Sequence, residues 1–151
     1  MRARVLIPCV LALIIAAVVG VSRASIARPA SGLIEGLLRP CPQEDCCFSS
    51  MADNSDQLIA PIRFPGDAYD AFARAVAIVK SWSGTVELQR TEYYAHLELM
   101  SPFIRIRDDI ELLLDPEGRQ IHIRVAARVG SVDFGRNRDR VEKLRRLMRE
   151  R

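Results

Sequence analysis

Between Ile121 and Leu147 the spacing of apolar residues changes from two to three and four. Ile121, Ile123, Val125, Ala127 and Val129 alternate with other residues, as a strand with one buried face requires. Val141, Leu144, Leu147 and Met148 recur at helical spacing, so a helix is expected over Asp139 to Met148. A strand therefore turns a corner across Gly130 to Gly135 and becomes a helix. No other stretch constrains the chain as much. Such a strand needs neighbours for its backbone, and such a helix needs an apolar surface to cover.

Both are available upstream. Val86 and Leu88, then Tyr93, Ala95, Leu97 and Leu99, then Ile104 and Ile106, then Ile110, Leu112 and Leu114 alternate in the same way. Together with the stretch from Ile121 they predict four or five antiparallel strands. Asp115, Pro116, Glu117 and Gly118 form a hairpin turn, with proline pre-set and Gly118 free to take positive φ. Gly66 to Ser81 reads as a helix: Asp67 favours its start, and Ala68, Phe72, Val76 and Val79 share a face. Trp82 and Gly84 end it. Pro61 and Pro65 restrict Leu58 to Phe64 to an edge strand or an extended entry. The expected fold is α+β: an antiparallel sheet of four to five strands with two helices packed on one face, preceded by an N-terminal apolar export or anchor helix. The other sheet face then carries Glu87, His96, Glu98, Arg105, Arg107, Glu111, His122 and Arg124.

Arg2 and Arg4 precede an apolar run from Val5 to Val21, the layout of an export signal whose basic end stays inside. Seventeen helical residues cover about 25 Å, a little less than a bilayer's hydrocarbon core. Ser22 with Ala24, or Ser25 with Ala27, would suit cleavage, whereas Arg23 suits an anchor; the reading leans towards a retained segment. The expected organisation is a signal or membrane anchor over residues 1–27, a linker and cysteine-containing entry segment over 28–56, and an α+β domain over 57–151. The protein belongs, on this reading, in the cell envelope, exported to the periplasm or anchored in the inner membrane by residues 5–21. The net charge of +3 comes from Arg2, Arg4 and Arg23, since residues 1–27 contain no acid and the remaining 19 bases meet 19 acids. A neutral exported part does not suit nucleic acid. The basic residues are concentrated at the end: residues 136–151 hold eight bases against Asp139, Glu142 and Glu150.

Three cysteines, Cys41, Cys46 and Cys47, lie within the entry segment. An oxidising compartment favours a disulfide, and Cys41 to Cys46 is the preferred pairing, with Cys47 left free or open to an intermolecular bond. Metal binding is the weaker alternative, because a structural zinc needs four ligands and neither histidine is near in sequence.

The residues so far resemble the domain-of-unknown-function family numbered 1499, found in bacterial envelopes and in plastids. The likeness runs from about Leu38 to Leu147. Its entry motif stands here as Arg39, Pro40, Cys41 and Pro42, followed by Cys46, Ser49 and Ser50; its middle as Asp108, Asp109, Ile110 and Glu111. Its signature stands as Ile121 to Arg124, Arg128 to Gly130, Asp133, Gly135, Asn137, Arg138, Arg140 and Glu142. The chain departs from it at Val125 and Ala127, where the family often has small hydroxyl residues, and at Cys47, where an apolar residue is usual. The resemblance implies a domain and an envelope location and supplies no activity.

For function the residues leave two readings. The leading one is a non-enzymatic envelope module that binds a protein partner or a small anionic ligand; the alternative is a hydrolase-like enzyme using the histidines and carboxylates of the polar sheet face. His96, Glu98, Glu111 and His122 have the chemistry for acid–base work, but cross-strand charge pairs also simply stabilise sheets. No serine or cysteine sits in a known nucleophile motif, so no catalytic residue is assigned, and neither is a metal or cofactor. The candidate ligand site is Arg128, Asn137, Arg138 and Arg140: cations in a helix's first turn oppose its dipole and call for an acidic partner, and free amides there favour an anion. The internal alternative is a charge knot with Asp108, Asp109 and Asp133. An enzyme predicts a deep pocket in which His96 or His122 meets an acid.

Overall fold

The protein is described from a computed structural model, covering residues 2–26, 31–42, 46–102, 105–129 and 135–150, the first five by backbone alone. An apolar helix, α1 (Arg2–Ala24), leads the chain. Two short strands, β1 (Leu33–Ile34) and β2 (Leu37–Leu38), form a separate hairpin. Then come β3 (Cys47–Ser49), β4 (Ile62–Arg63), α2 (Ala68–Lys80), β5 (Thr85–Arg90), β6 (Tyr94–Met100), β7 (Arg107–Asp115), β8 (Gln120–Ala127) and α3 (Arg136–Arg149).

The main sheet is antiparallel and has six strands, in the order β3, β8, β7, β6, β5, with β4 also paired to β8. That corrects the four to five expected. The additional pairing lies along β8, where β3 takes Arg124 to Ala126 and β4 takes Ile121 and Gln120. Strands of three and two residues are too short to leave an alternation in the sequence, and their pairing is decided by an available edge. Ile106 lies just before β7 instead of in a strand of its own, and Ile104 falls outside the described residues.

One sheet face holds the core. Ala95, Leu97 and Leu99 of β6, Ile110, Leu112 and Leu114 of β7, and Ile121, Ile123 and Val125 of β8 meet Phe72, Val76 and Val79 of α2 and Val141 and Leu144 of α3. Each large side chain buried here contributes about 1.5–3 kcal/mol. α2 begins where Asp67 accepts hydrogen bonds from the Tyr69 and Asp70 amides, both at 2.9 Å. Asp67→Ala is expected to cost about 1 kcal/mol, read as a lower chemical-denaturation midpoint at unchanged slope. α3 starts three residues before the expected position. Gly135, with φ of 79°, is its N-cap, and Asn137 lies inside the first turn. In the β7–β8 turn the positive φ falls on Arg119. Glycine at 118 leaves room for the Asp115 carboxylate: a Cβ there would stand 2.1 Å from one of its oxygens and would have to displace that side chain.

α1 is longer than the apolar run. At 1.5 Å per residue its 23 residues span about 35 Å, enough to cross a membrane, and the window Ile7–Ala24 has a mean hydropathy of 2.2. Just past its end Ser25 is fully buried, its hydroxyl 3.5 Å from the Arg105 carbonyl and its own carbonyl 3.5 Å from Arg128.

The disulfide joins Cys41 to Cys47, leaving Cys46 as a buried thiol. This differs from the expected Cys41 to Cys46. Cys46 instead belongs to the framework, its carbonyl accepting from the Ala127 amide at 3.1 Å and the Asn137 side chain at 3.0 Å. Unfolding without reductant should expose two thiols to a maleimide, at Cys9 and Cys46, and reduction should expose all four. Peptide mapping that finds the label on Cys47 would restore the other pairing. Opening so small a loop is expected to cost about 2 kcal/mol.

Candidate functional site

Period two sorts β6, β7 and β8 into two faces, and the face away from the helices carries the charges. Across it His96 is opposite Glu111, Glu98 opposite Asp109, and Glu111 opposite Arg124. Two side chains expected there lie elsewhere. Glu87 turns to the helix side and pairs with Lys80 at 3.2 Å, and Arg105 lies outside the strands. Asp108 and Asp109, adjacent in sequence, point to opposite faces.

The charged face is buried. His96, Asp109, Glu111 and Arg124 are at most 5% exposed. The entry segment runs over it: the Gly32 amide donates to Glu111 at 2.7 Å, and Leu38 packs on Tyr94 and Leu113. Beneath it the charges pair in two groups. Arg128 donates to both oxygens of Asp109 at 2.7 and 2.8 Å and also meets Glu98 at 2.7 Å, while His96 bonds Asp109 at 2.7 Å. Arg124 meets Glu111 at 2.5 Å, and the Tyr94 hydroxyl donates to the same carboxylate at 2.6 Å. Burial pulls the Asp109 carboxyl upward, but the hydrogen bonds from Arg128 and His96 outweigh it and hold its pKa below the usual value. Burial, then the bond to Glu111, pushes the Tyr94 phenol up.

On the helix side Arg140 pairs with Asp108 and donates to the Asn137 side chain at 2.6 Å. Burial raises the Asp108 pKa against the pull of Arg140. Arg138 lies with its guanidinium 4.8 Å from the centre of the Phe48 ring. Asp133 falls outside the described residues. The structure thus distributes the six described residues of the proposed ligand site and charge knot between two separate ion-pair groups and one cation–π contact. The reading as a surface that binds a protein partner or a small anionic ligand is thereby overturned: Arg128 and Asn137 are buried among internal partners, and the sheet face is a packed His/Asp/Glu/Arg cluster.

One part of this face opens outward. His122, half-buried at the start of β8, lines a cleft of about 330 Å3 with Leu37, Met51, Leu113, Asp115 and Glu117. Its Nδ1 is 3.1 Å from the Ser50 hydroxyl, and its Nε2 is 3.9 Å from an Asp115 oxygen and 3.3 Å from the Gln120 side-chain nitrogen. Ser50 is held in place from both sides of its residue. Its amide donates to the Ile123 carbonyl at 2.9 Å, and the Ile123 amide donates to its hydroxyl oxygen at 2.9 Å. Two neutral tautomers fit the ring. In one, Gln120 donates into Nε2 and Nδ1–H points at Ser50; in the other, Nδ1 accepts a hydrogen bond from the Ser50 hydroxyl and Nε2–H faces Asp115, which requires the Gln120 amide to turn its nitrogen away from the ring. Burial lowers the His122 pKa, and Asp115 opposes that shift without cancelling it, so the imidazole is neutral near pH 7. Hydrogen bonds, first from the Gly118 amide and then from Gln120, keep Asp115 ionised.

Sequence reasoning placed His122 on the right face but did not connect it to Ser50, 72 residues away, or to Asp115, read only as a turn acid. The sole sequence signal was the serine pair closing the entry motif. Among the described residues, no three His, Cys, Asp or Glu side chains converge as a metal site would require.

The six-stranded α+β domain with its cluster of buried ion pairs falls within a family without assigned activity. The chain matches the family described as a protein of unknown function, DUF1499, over residues 37–148, and it belongs to that family. No curated protein and no solved structure matches it.

Proposed function

We propose that the domain is a hydrolase-like enzyme of the acyl-transfer class, held at the envelope membrane by a retained α1, with Ser50 as nucleophile and His122 as general base. The observation that carries this reading is the Ser50 hydroxyl 3.1 Å from a neutral His122 ring that borders an open cleft with Asp115 on its other side. Ser50 Oγ attacks an ester carbonyl as its proton passes to Nδ1; the leaving alcohol takes that proton, and water then releases the acid from the serine by the same route. Asp115, 3.9 Å away, stabilises the imidazolium through charge. The buried cluster acts as the rigid floor that fixes β7 and β8, and with them His122.

Ser25 argues against cleavage after Ala27, which would remove a side chain buried within the domain, and Arg23 beside the apolar run favours an anchor over cleavage after Ala24. The basic end stays inside and the domain lies on the outer side of the inner membrane. The test is hydrolysis of a soluble nitrophenyl ester by the full chain in detergent. Activity should rise with pH through an apparent value below 6.5 and then level, because the ring must be neutral to accept the proton. Absence of turnover, or a profile still rising well above pH 7, counts against the assignment.

A further inference from the structure

The exposed apolar side chains outside α1 are unevenly distributed. Ile26, Leu33, Ile34 and Leu37 crowd into the short stretch that follows the anchor, whereas Leu58, Tyr69, Val86 and Tyr93 are scattered over the rest of the domain. Single exposed apolar residues are ordinary, but a contiguous group marks a contact.

The β1–β2 hairpin explains how the group is presented. Leu33 is opposite Leu38, and Ile34 is opposite Leu37. Leu38 turns inward onto Tyr94 and Leu113, so the other pair turns outward, with Ile34 44% and Leu37 57% exposed. Glu35 and Gly36 make the turn, both at positive φ. The hairpin is fastened beneath by the Gly32 amide on Glu111. The same Leu37 lines the cleft that contains His122.

We infer that the outer face of this hairpin rests in the interfacial layer of the same bilayer that holds α1, and that the cleft beside it takes an ester carried on a membrane amphiphile. The occupant follows from continuity: a membrane-crossing helix ends nine residues before Leu33, and the chain between is tied to the domain at Ser25. Ser25 lies by Arg105 and Arg128, Gly32 by Glu111, and Leu37 by Leu113 and His122, so these three described points are spread along the sheet face. Anchor and hairpin reach one bilayer together when that face lies along the membrane and α2 and α3 point away from it. The cleft then opens at the headgroup level. Its lining includes Leu37, Met51 and Leu113, which suit an acyl chain, together with His122. The substrate half of this inference rests on the proposed hydrolase reading; the docking half does not.

The full chain reconstituted in vesicles of brominated phosphatidylcholine separates the two. Interfacial apolar groups sit roughly 5–10 Å into the boundary, within reach of bromine high on the chains, so in a Trp82→Phe background, which removes the native tryptophan, Ile34→Trp emission should fall roughly twofold against unbrominated vesicles. Tyr69→Trp, on α2 of the opposite face, should be unaffected. Absence of quenching at 34, or equal quenching at both positions, overturns the docking. For the substrate, Ile34→Asp should leave hydrolysis of a soluble nitrophenyl ester unchanged and lower hydrolysis of a long-chain nitrophenyl ester dispersed in vesicles roughly tenfold. Equal loss on both esters, or none on either, overturns the membrane-borne substrate. Quenching at 34 with neither ester turned over removes the hydrolase reading, and the substrate class with it, and leaves the docking standing.

Discussion

Asp109→Ala lowers the stability of the domain by about 3–5 kcal/mol, the range for removing one partner of a buried ion pair. Asp109 is fully buried and accepts two hydrogen bonds from Arg128, whose side chain is 1% exposed, and one contact from His96. Without it the guanidinium keeps Glu98, at 2.7 Å, and a long contact to the Ser25 carbonyl, and the histidine loses its carboxylate. Most of the loss is the cost of a cation left in a dry site, so replacing both members should recover much of it. Asp109→Leu with Arg128→Met is expected to be far more stable than Asp109→Ala alone, by urea unfolding at neutral pH. A loss below about 1 kcal/mol for the single variant would show that water reaches the cluster and that the entry segment does not seal it.

The same pair sets an acid limit. The folded pKa of Asp109 lies below the ordinary 3.8, so its contribution is present above that value and is lost as pH falls through the lower, folded one. Asp108 works the other way. Its folded pKa is raised, so it favours the native state in acid and opposes it as the carboxyl ionises. In Asp108→Asn the acid-induced loss should therefore begin at higher pH than in the native chain.

His122→Ala should reduce ester hydrolysis by roughly 10²–10⁴, the usual contribution of a positioned general base. Ser50→Ala should remove the acyl-enzyme and any burst of alcohol release. Neither change threatens the fold to a similar degree. His122 is outside the packed cluster, and Ser50→Ala forfeits a hydroxyl that accepts from Ile123, worth about 1 kcal/mol, while its backbone bond to Ile123 remains. Asp115→Asn should cost less than either, since 3.9 Å is a charge contact without a hydrogen bond. The measurement is kcat for each variant beside its unfolding midpoint. Full activity in a folded Ser50→Ala would end the assignment of the nucleophile.

The sequence by itself determined what depends on local periodicity. Alternation along Tyr94 to Met100, Arg107 to Asp115 and Gln120 to Ala127 named the strands and both their faces, because side chains of a strand point alternately whatever surrounds them. The apolar stripe of α2 and its Asp67 start were equally legible, as was the apolar run before the domain, although the helix it forms is longer than the run. Three things depended on the tertiary structure. Strands β3 and β4 exist because β8 offers unpaired backbone, and strands so short carry no pattern of their own. The polar face reads as solvated in sequence, yet the entry segment covers it, and burial is a property of the layer above and not of the residue. The link between Ser50, Asp115 and His122 arises from the register of β8 against β7 and from the return of the chain after β3, which bring together residues that no spacing along the chain connects.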